Sequence, residues 1–105
     1  MTTQNETRLK HMRVNYQIIE SEKEALKAVE QNGYGYALRY VKDQTEAVCL
    51  KAVEQNGHAL CYVKDQTEAV CLKAVEQDGY ALQYVKDRAM FKQIAAKFGI
   101  ETDLD

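Results

Sequence analysis

Apolar residues recur at helical spacing in two consecutive blocks of 22 residues, 45–66 and 67–88. Each block opens with a threonine followed by "EAVCLKAVEQ", in which apolar residues return every three or four positions. This spacing predicts an amphipathic α-helix. Thr45 and Thr67 are suited to its N-cap, and a glutamate follows each of them in the first turn, where the helix dipole favours negative charge. The packed face in the first block is expected to contain Val48, Cys49, Leu50, Ala52 and Val53.

A glycine follows each of these helices, and a second, shorter apolar stretch follows the glycine. Gly57 and Gly79, with Gly33 further upstream, stand where helices often end in a left-handed C-cap. The stretches "HALCYVKD" and "YALQYVKD" then predict a short second helix in each block. Its packing residues in the first block are expected to be Ala59, Leu60, Tyr62 and Val63.

The two blocks differ at only four positions, and residues 21–44 form a third, degraded copy with two residues inserted around Tyr34 and Gly35. A repeat period in this range marks an array of stacked units. We therefore predict an all-α fold: a short right-handed α-solenoid of three two-helix repeats, with N- and C-terminal capping helices. The chain forms one domain, with an N-terminal cap at 1–20, repeats at 21–44, 45–66 and 67–88, and a C-terminal cap helix and acidic tail at 89–105.

The two ends of the chain lie outside the repeat. Phe91, Ile94, Ala95 and Phe98 have helical spacing, Gly99 is expected to end that helix, and Ile100 to fold back on it. At the other end the pattern is ambiguous. Leu9, Met12, Tyr16 and Ile19 lie near helical spacing, whereas "VNYQII" alternates like a strand. Because a solenoid exposes an apolar face at each terminus, both segments are interpreted as caps.

The repeated unit resembles a tandem-repeat family of unknown function from bacterial, phage and protist proteins. The resemblance rests on the pattern L-x-A-V-x-Q-[ND]-G-x-A-L-x-Y-V and on the "QT" junction between copies, and it covers roughly residues 21–88. It implies a helical repeat architecture and no particular activity. The insertion at Tyr34 and Gly35 departs from the pattern, so the first layer is expected to be distorted.

The charges are mixed rather than segregated: 14 basic and 16 acidic residues give a net charge of −2. Lys42, Lys64 and Lys86 each precede an aspartate. Lys27, Lys51 and Lys73 each stand three residues before a glutamate, which favours local ion pairs. A nucleic-acid surface would need a basic excess on one face, so nucleic acid is not expected as a partner. No apolar run is long enough for a membrane span and no secretory signal is evident, so a cytoplasmic protein is expected.

The chemistry-bearing residues are few and scattered. Cys49, Cys61 and Cys71 lack the spacing of a metal site and are interpreted as free thiols, while His11 and His58 are isolated from each other. Catalysis needs distinct groups in a concave site, whereas the carboxylates here belong to periodic sets. No enzyme activity, catalytic residue, metal or cofactor is therefore expected.

Positions at which the copies differ are expected to form an exposed patch around the start of the short helix. An aromatic residue with a polar tip at such a place is typical of a recognition surface. The residues predicted to bind a protein partner are Tyr36, Arg39, His58, Cys61, Tyr80, Gln83 and Arg88. The sequence thus favours a non-enzymatic protein-binding module that uses one solenoid face. The alternatives are a small stoichiometric protein inhibitor encoded by a phage or other mobile element, and a structural repeat protein that assembles into homo-oligomers through its solenoid ends.

Overall fold

A computed structural model describes residues 18–31 and 36–102, except for the side chain of Tyr36. This part of the chain contains four α-helices and three 3-10 helices. In chain order they are α1 (Glu22–Gln31), η1 (Tyr36–Tyr40), α2 (Glu46–Gln55), η2 (Gly57–Tyr62), α3 (Glu68–Gln77), η3 (Gly79–Tyr84) and α4 (Arg88–Lys97). No strand occurs among these residues, so the predicted all-helical class is confirmed for them.

Helices α2 and α3 begin where the sequence predicts. The Thr45 hydroxyl accepts a hydrogen bond from the Val48 N–H at 3.3 Å, and Thr67 does the same for Val70. These bonds satisfy donors that a helix N-terminus otherwise leaves unpaired. The predicted face of α2 is buried at Val48, Cys49, Ala52 and Val53, while Leu50 is half-buried.

The second element of each repeat is a short helix, as predicted, and its hydrogen bonding is of the 3-10 type. Asn56 and Asp78, which precede η2 and η3, have extended backbones, and their side chains accept the N–H of His58 and Tyr80 at 2.9 Å. The following bonds join residues three apart, as in Ala59 N–H to the Asn56 carbonyl at 2.9 Å. A six-residue segment closed by extended residues at both ends is too short for α-helical pairing to gain much, and 3-10 pairing suits pieces of this length.

The glycines after α2 and α3 do not adopt the predicted left-handed conformation. Among the described residues only Gly99 has a positive φ, of 66°. Gly57 is instead required by close packing, because a Cβ there would lie 2.6 Å from the Ala74 carbonyl oxygen and 2.9 Å from the Asp78 Cβ. A Cβ at Gly79 would lie 3.9 Å from Ile100 Cδ1, an ordinary van der Waals distance. Gly33 and the insertion at residues 34 and 35 lie outside the described residues.

The elements pack in two rows, the α row (α1, α2 and α3) and the 3-10 row (η1, η2 and η3). Within the described part of the chain, each helix of a row contacts only its neighbours in that row, and each 3-10 helix also packs against the α-helices before and after it. Equivalent residues are buried in every layer: Val29, Val53 and Val75; Leu38, Leu60 and Leu82; Val41, Val63 and Val85. The core is therefore a stack of matching layers between the two rows.

A glutamine side chain joins each layer to the next. The Gln44 amide donates from Nε2 to the carbonyls of Leu38 and Tyr62, each at 2.9 Å, and accepts from the Lys64 N–H at 2.8 Å. It thereby bridges η1 to the end of η2. Gln66 makes the equivalent bonds one layer later, with Leu60, Tyr84 and Lys86 at 3.3, 2.8 and 2.9 Å.

The backbone of Ile19 occupies the corresponding place before the first layer. Its N–H donates to the Tyr40 carbonyl and its carbonyl accepts from the Lys42 N–H at 2.8 Å, which creates an isolated parallel β-bridge with Val41. The Ile19 peptide groups thus make the two bonds that a glutamine amide makes in later layers. This segment is extended at Ile19, and the rest of the ambiguous N-terminal pattern, residues 1–17, lies outside the described residues.

Helix α4 follows the array and ends as predicted. Gly99 is left-handed, the Ile100 N–H donates to the Ala95 carbonyl at 2.8 Å, and the Gly99 N–H donates to the Ala96 carbonyl at 3.2 Å. These bonds form a Schellman motif. Ile94 and Ala95 are buried, whereas Phe98 remains 38% exposed.

Candidate functional site

The exposed surface of the 3-10 row carries most of the residues predicted to bind a partner. Arg39, His58, Cys61, Tyr80 and Gln83 are all exposed on η1, η2 and η3. Tyr80 stands out, since 78% of it is accessible to solvent. Arg88 is exposed as well but begins α4, and the side chain of Tyr36 lies outside the described residues. The binding role of all seven residues stays a prediction.

His58 links two layers of this surface. Its Nε2 lies 3.0 Å from Asp78 Oδ2, and its Nδ1 lies 3.3 Å from the Tyr84 hydroxyl. The imidazole also meets the Tyr84 ring edge to face, with centroids 5.5 Å apart. Asp78 uses its other oxygen to cap η3, so one carboxylate serves both the helix start and the contact with the preceding layer.

His58 and the exposed thiol of Cys61 both lie on η2. Cys61 lies three residues after His58, and in the part of the chain that the structure describes no hydrogen bond joins the two side chains. The imidazole is instead held between a carboxylate and a phenol, an arrangement that orients residues between η2 and η3.

Arg39 is positioned by two aromatic rings. Its guanidinium carbon lies 5.3 Å from the centroid of the Tyr40 ring and 5.7 Å from that of Tyr62, within the range of a cation–π interaction. The later copies have Cys61 and Gln83 at this repeat position. The Gln83 amide donates to the Tyr80 carbonyl at 3.1 Å, whereas Cys61 is an exposed free thiol. The surface therefore differs in chemistry from layer to layer.

The copies differ at four repeat positions, and two of these, 56/78 and 66/88, are not simply exposed sites as the sequence suggests. Asn56 and Asp78 are half-buried helix caps. Gln66 is half-buried and makes three inter-layer hydrogen bonds, and Arg88 replaces it where no further 3-10 helix follows in the described chain. Sequence reasoning missed this role of Gln44 and Gln66. The sequence did contain a signal for it, because the same repeat position holds glutamine at 44 and 66 and arginine at 88.

The α row has a different surface, in which lysines and glutamates pair. Lys73 contacts Glu76 at 3.2 Å, as the spacing predicts, whereas Lys51 reaches across to Glu30 of the preceding helix at 3.5 Å. Between α1 and α2 lies a groove of about 720 Å³ with Leu26 and Leu50 among its lining residues. The ion pairs of Lys73 with Glu76 and of Lys51 with Glu30 are partly exposed to solvent, and such pairs contribute little to the free energy of folding.

The cysteines are free thiols, as expected. Burial, followed by the nearby Asp65 and Glu46 carboxylates, raises the pKa of Cys49 to about 11. Burial and then Asp87 raise the pKa of Cys71 to about 11. Both thiols therefore stay protonated at neutral pH. Residues 18–31 and 36–102 contain no group of His, Cys, Asp or Glu side chains that would hold a metal ion, and none of their helices has the length and apolar character of a membrane span.

The sequence model of one protein family, described as a domain of unknown function (DUF4116), matches residues 45–88. The match covers the two nearly identical copies and stops short of the degraded copy at residues 21–44. Comparison with curated proteins and with solved structures finds no significant match. This part of the chain is thus similar to an uncharacterised family, and the similarity assigns no activity.

Proposed function

We propose that the chain is a short right-handed α-solenoid of three layers, capped by the segment around Ile19 and by α4. The support is the nearest-neighbour packing of the two rows together with the repeated glutamine junctions. In solenoids each unit contacts only its neighbours, and stacking creates an extended surface of repeated positions.

On this scaffold we propose a non-enzymatic protein-binding module whose binding face is the 3-10 row. The observation that carries this proposal is the 78% exposure of Tyr80 on 3-10 helices whose buried residues are constant, whereas the exposed residues differ at 58 and 80 and at 61 and 83. Exposed tyrosine is enriched in binding hot spots because it offers a large rigid apolar area with a polar tip. The lysines of the α row, by contrast, are engaged at Lys51 and Lys73 in ion pairs with glutamates.

End-to-end assembly is less well supported than binding of a different protein. The peptide groups of Ile19 already occupy the positions on η1 where the glutamine of a preceding layer would bind. A second copy stacking there would have to displace both hydrogen bonds. These two hydrogen-bonding positions of η1 are therefore occupied by the chain itself.

The test is affinity capture with the full chain, followed by a binary measurement with the captured protein. Tyr80→Ala is expected to weaken binding about tenfold or more, as for a hot-spot tyrosine. Gln77→Ala, which removes an exposed side chain from α3 on the α row, should leave the affinity within about twofold. The proposal fails if Tyr80→Ala binds like the wild type, or if the loss follows Gln77→Ala instead, provided that both variants melt like the wild type.

A further inference from the structure

One groove on the 3-10 row is distinctly positive. It has a volume of about 380 Å³ and is lined by residues of the extended segment before α1, of η1 and of the turns after η1 and η2. Three of its lining residues are cations, Arg39, Lys42 and Lys64, and one is a carboxylate, Glu20. The formal charge of the lining is 3 − 1 = +2, although the whole chain carries −2.

The cations of this groove are not neutralised by the neighbours that the sequence suggests. Across the described ranges, neither Lys42 nor Lys64 forms an ion pair with the aspartate that follows it, and Arg39 forms none with any carboxylate. The α row behaves differently, since Lys51 and Lys73 are both paired there. Ion pairs therefore neutralise Lys51 and Lys73 on the α row, whereas the three cations of this groove have no such pair in the described ranges.

Arg39 is positioned by two aromatic rings. Its guanidinium carbon lies 5.3 Å and 5.7 Å from the centroids of the Tyr40 and Tyr62 rings, and a cation–π contact of this kind does not use the N–H groups as donors to a carboxylate. A guanidinium presents these donors as a planar fork that matches two oxygens of a phosphate or carboxylate. Arg39 occurs only in the first copy, where the later copies have Cys61 and Gln83, so the feature belongs to one layer.

From this groove we infer a binding site for a single phosphate monoester group, with Arg39 as the bidentate donor and Lys42 and Lys64 as further cations. A phosphate monoester carries a charge of about −1.5 to −2 at pH 7, which balances the lining charge of the groove. The site goes beyond the proposed binding face, because it would hold the group whether a phosphorylated protein or a small metabolite presents it.

A nucleic-acid backbone suits this surface less well than one isolated group. The next groove along the row is lined by Lys64, Lys86, Asp65 and Asp87, so its charges cancel. A polyanion that follows the row would meet these carboxylates within one layer. Of these two grooves, only the Arg39 groove has an excess of positive charge in its lining.

The test is an NMR titration of the ¹⁵N-labelled full chain with four probes: inorganic phosphate, a short capped phosphoserine peptide, the same peptide with serine, and AMP. Saturable shifts around Arg39, Lys42 and Lys64 are expected with phosphate-bearing probes and not with the serine peptide. Tighter binding of the phosphoserine peptide than of phosphate and AMP would assign a protein source. The reverse order would assign a small-molecule source.

Variants separate a built site from general surface charge. Arg39→Gln is expected to weaken phosphate binding about tenfold, the loss typical of a charged hydrogen-bonding pair. Glu20→Gln should tighten it about twofold by removing the one carboxylate of the groove. Lys73→Gln, which removes a paired lysine of the α row, should change nothing. Non-saturating shifts with every probe would overturn the inference, and so would an equal loss of phosphate affinity in Arg39→Gln and Lys73→Gln. Either result is independent of whether Tyr80→Ala weakens binding of a captured protein.

Discussion

Two glycines that look equivalent in the sequence should respond oppositely to the same substitution. If Gly57 and Gly79 were left-handed C-caps, alanine would strain both positions equally. In the structure neither has a positive φ, and only Gly57 is crowded. A Cβ at Gly57 would lie 2.6 Å from a backbone oxygen of the next layer, which cannot yield unless α3 moves. At Gly79 a Cβ would meet the Ile100 Cδ1 methyl at 3.9 Å, which is an ordinary contact.

We expect Gly57→Ala to lower the free energy of unfolding by about 1–3 kcal/mol, the usual cost of overpacking. For a domain of this size, each kcal/mol lowers Tm by about 4–8 °C. Gly79→Ala should be neutral or stabilising by up to about 1 kcal/mol, since alanine restricts the unfolded chain. Circular dichroism melts and urea titrations of the two single variants measure both effects. Equal destabilisation of the two would refute the packing argument and restore the left-handed caps.

The remaining predictions concern the junction, the layer contact and the thiols. Gln66→Leu should lower the free energy of unfolding by about 2 kcal/mol, because the Tyr84 carbonyl and the Lys86 N–H lose their partner, whereas Arg88→Leu at the matching repeat position should cost less than about 0.5 kcal/mol in urea titrations. A double-mutant cycle of His58→Tyr and Asp78→Asn should give a coupling of about 0.5–1 kcal/mol, and a value near zero would remove the inter-layer role of this pair. Iodoacetamide at pH 8 should modify Cys61 first, as read by peptide mass mapping, and early labelling of Cys49 or Cys71 would contradict their burial. The unfolded thiols ionise near pH 9.0 while the folded ones hold their protons to about 11, so stability should fall as the pH rises through that window, and less so in a Cys49→Ala, Cys71→Ala variant.

The α-helices were predictable because their signals are local. The threonine caps and the apolar face of α2 depend on residues within one helical turn of each other, and the Gly99 stop depends on the five residues around it. The exposure of His58 and Tyr80 was predicted from a different signal, the difference between the copies at that repeat position. Each of these inferences needs only the period of the chain and the known chemistry of helix ends.

The 3-10 geometry and the crowding at Gly57 were not predictable in this way, because both depend on the neighbouring layer. Asn56 begins η2 with an extended backbone, and the approach of α3 to Gly57 then decides which atoms fit. A glycine after a helix is compatible with a left-handed cap and with a close contact alike. No feature of the sequence alone distinguishes a left-handed cap from a close contact at these glycines. The charge of the Arg39 groove was missed for a related reason, since adjacent lysine and aspartate residues were assumed to pair.

The glutamine junctions suggest what limits the length of the array. Each 3-10 helix leaves two backbone groups to be paired, the carbonyl of its last tyrosine and the N–H of the lysine two residues later. The side chain of Gln44 pairs both groups for η2, and that of Gln66 pairs both for η3. At η1 the peptide groups of Ile19 supply the same two functions from the main chain. After η3 the junction residue is Arg88, which has donors but no acceptor and so cannot serve a following layer in the same way. Each 3-10 helix in the described chain thus has its last carbonyl and the following N–H satisfied by the segment before it, by a glutamine side chain for η2 and η3 and by the main chain for η1.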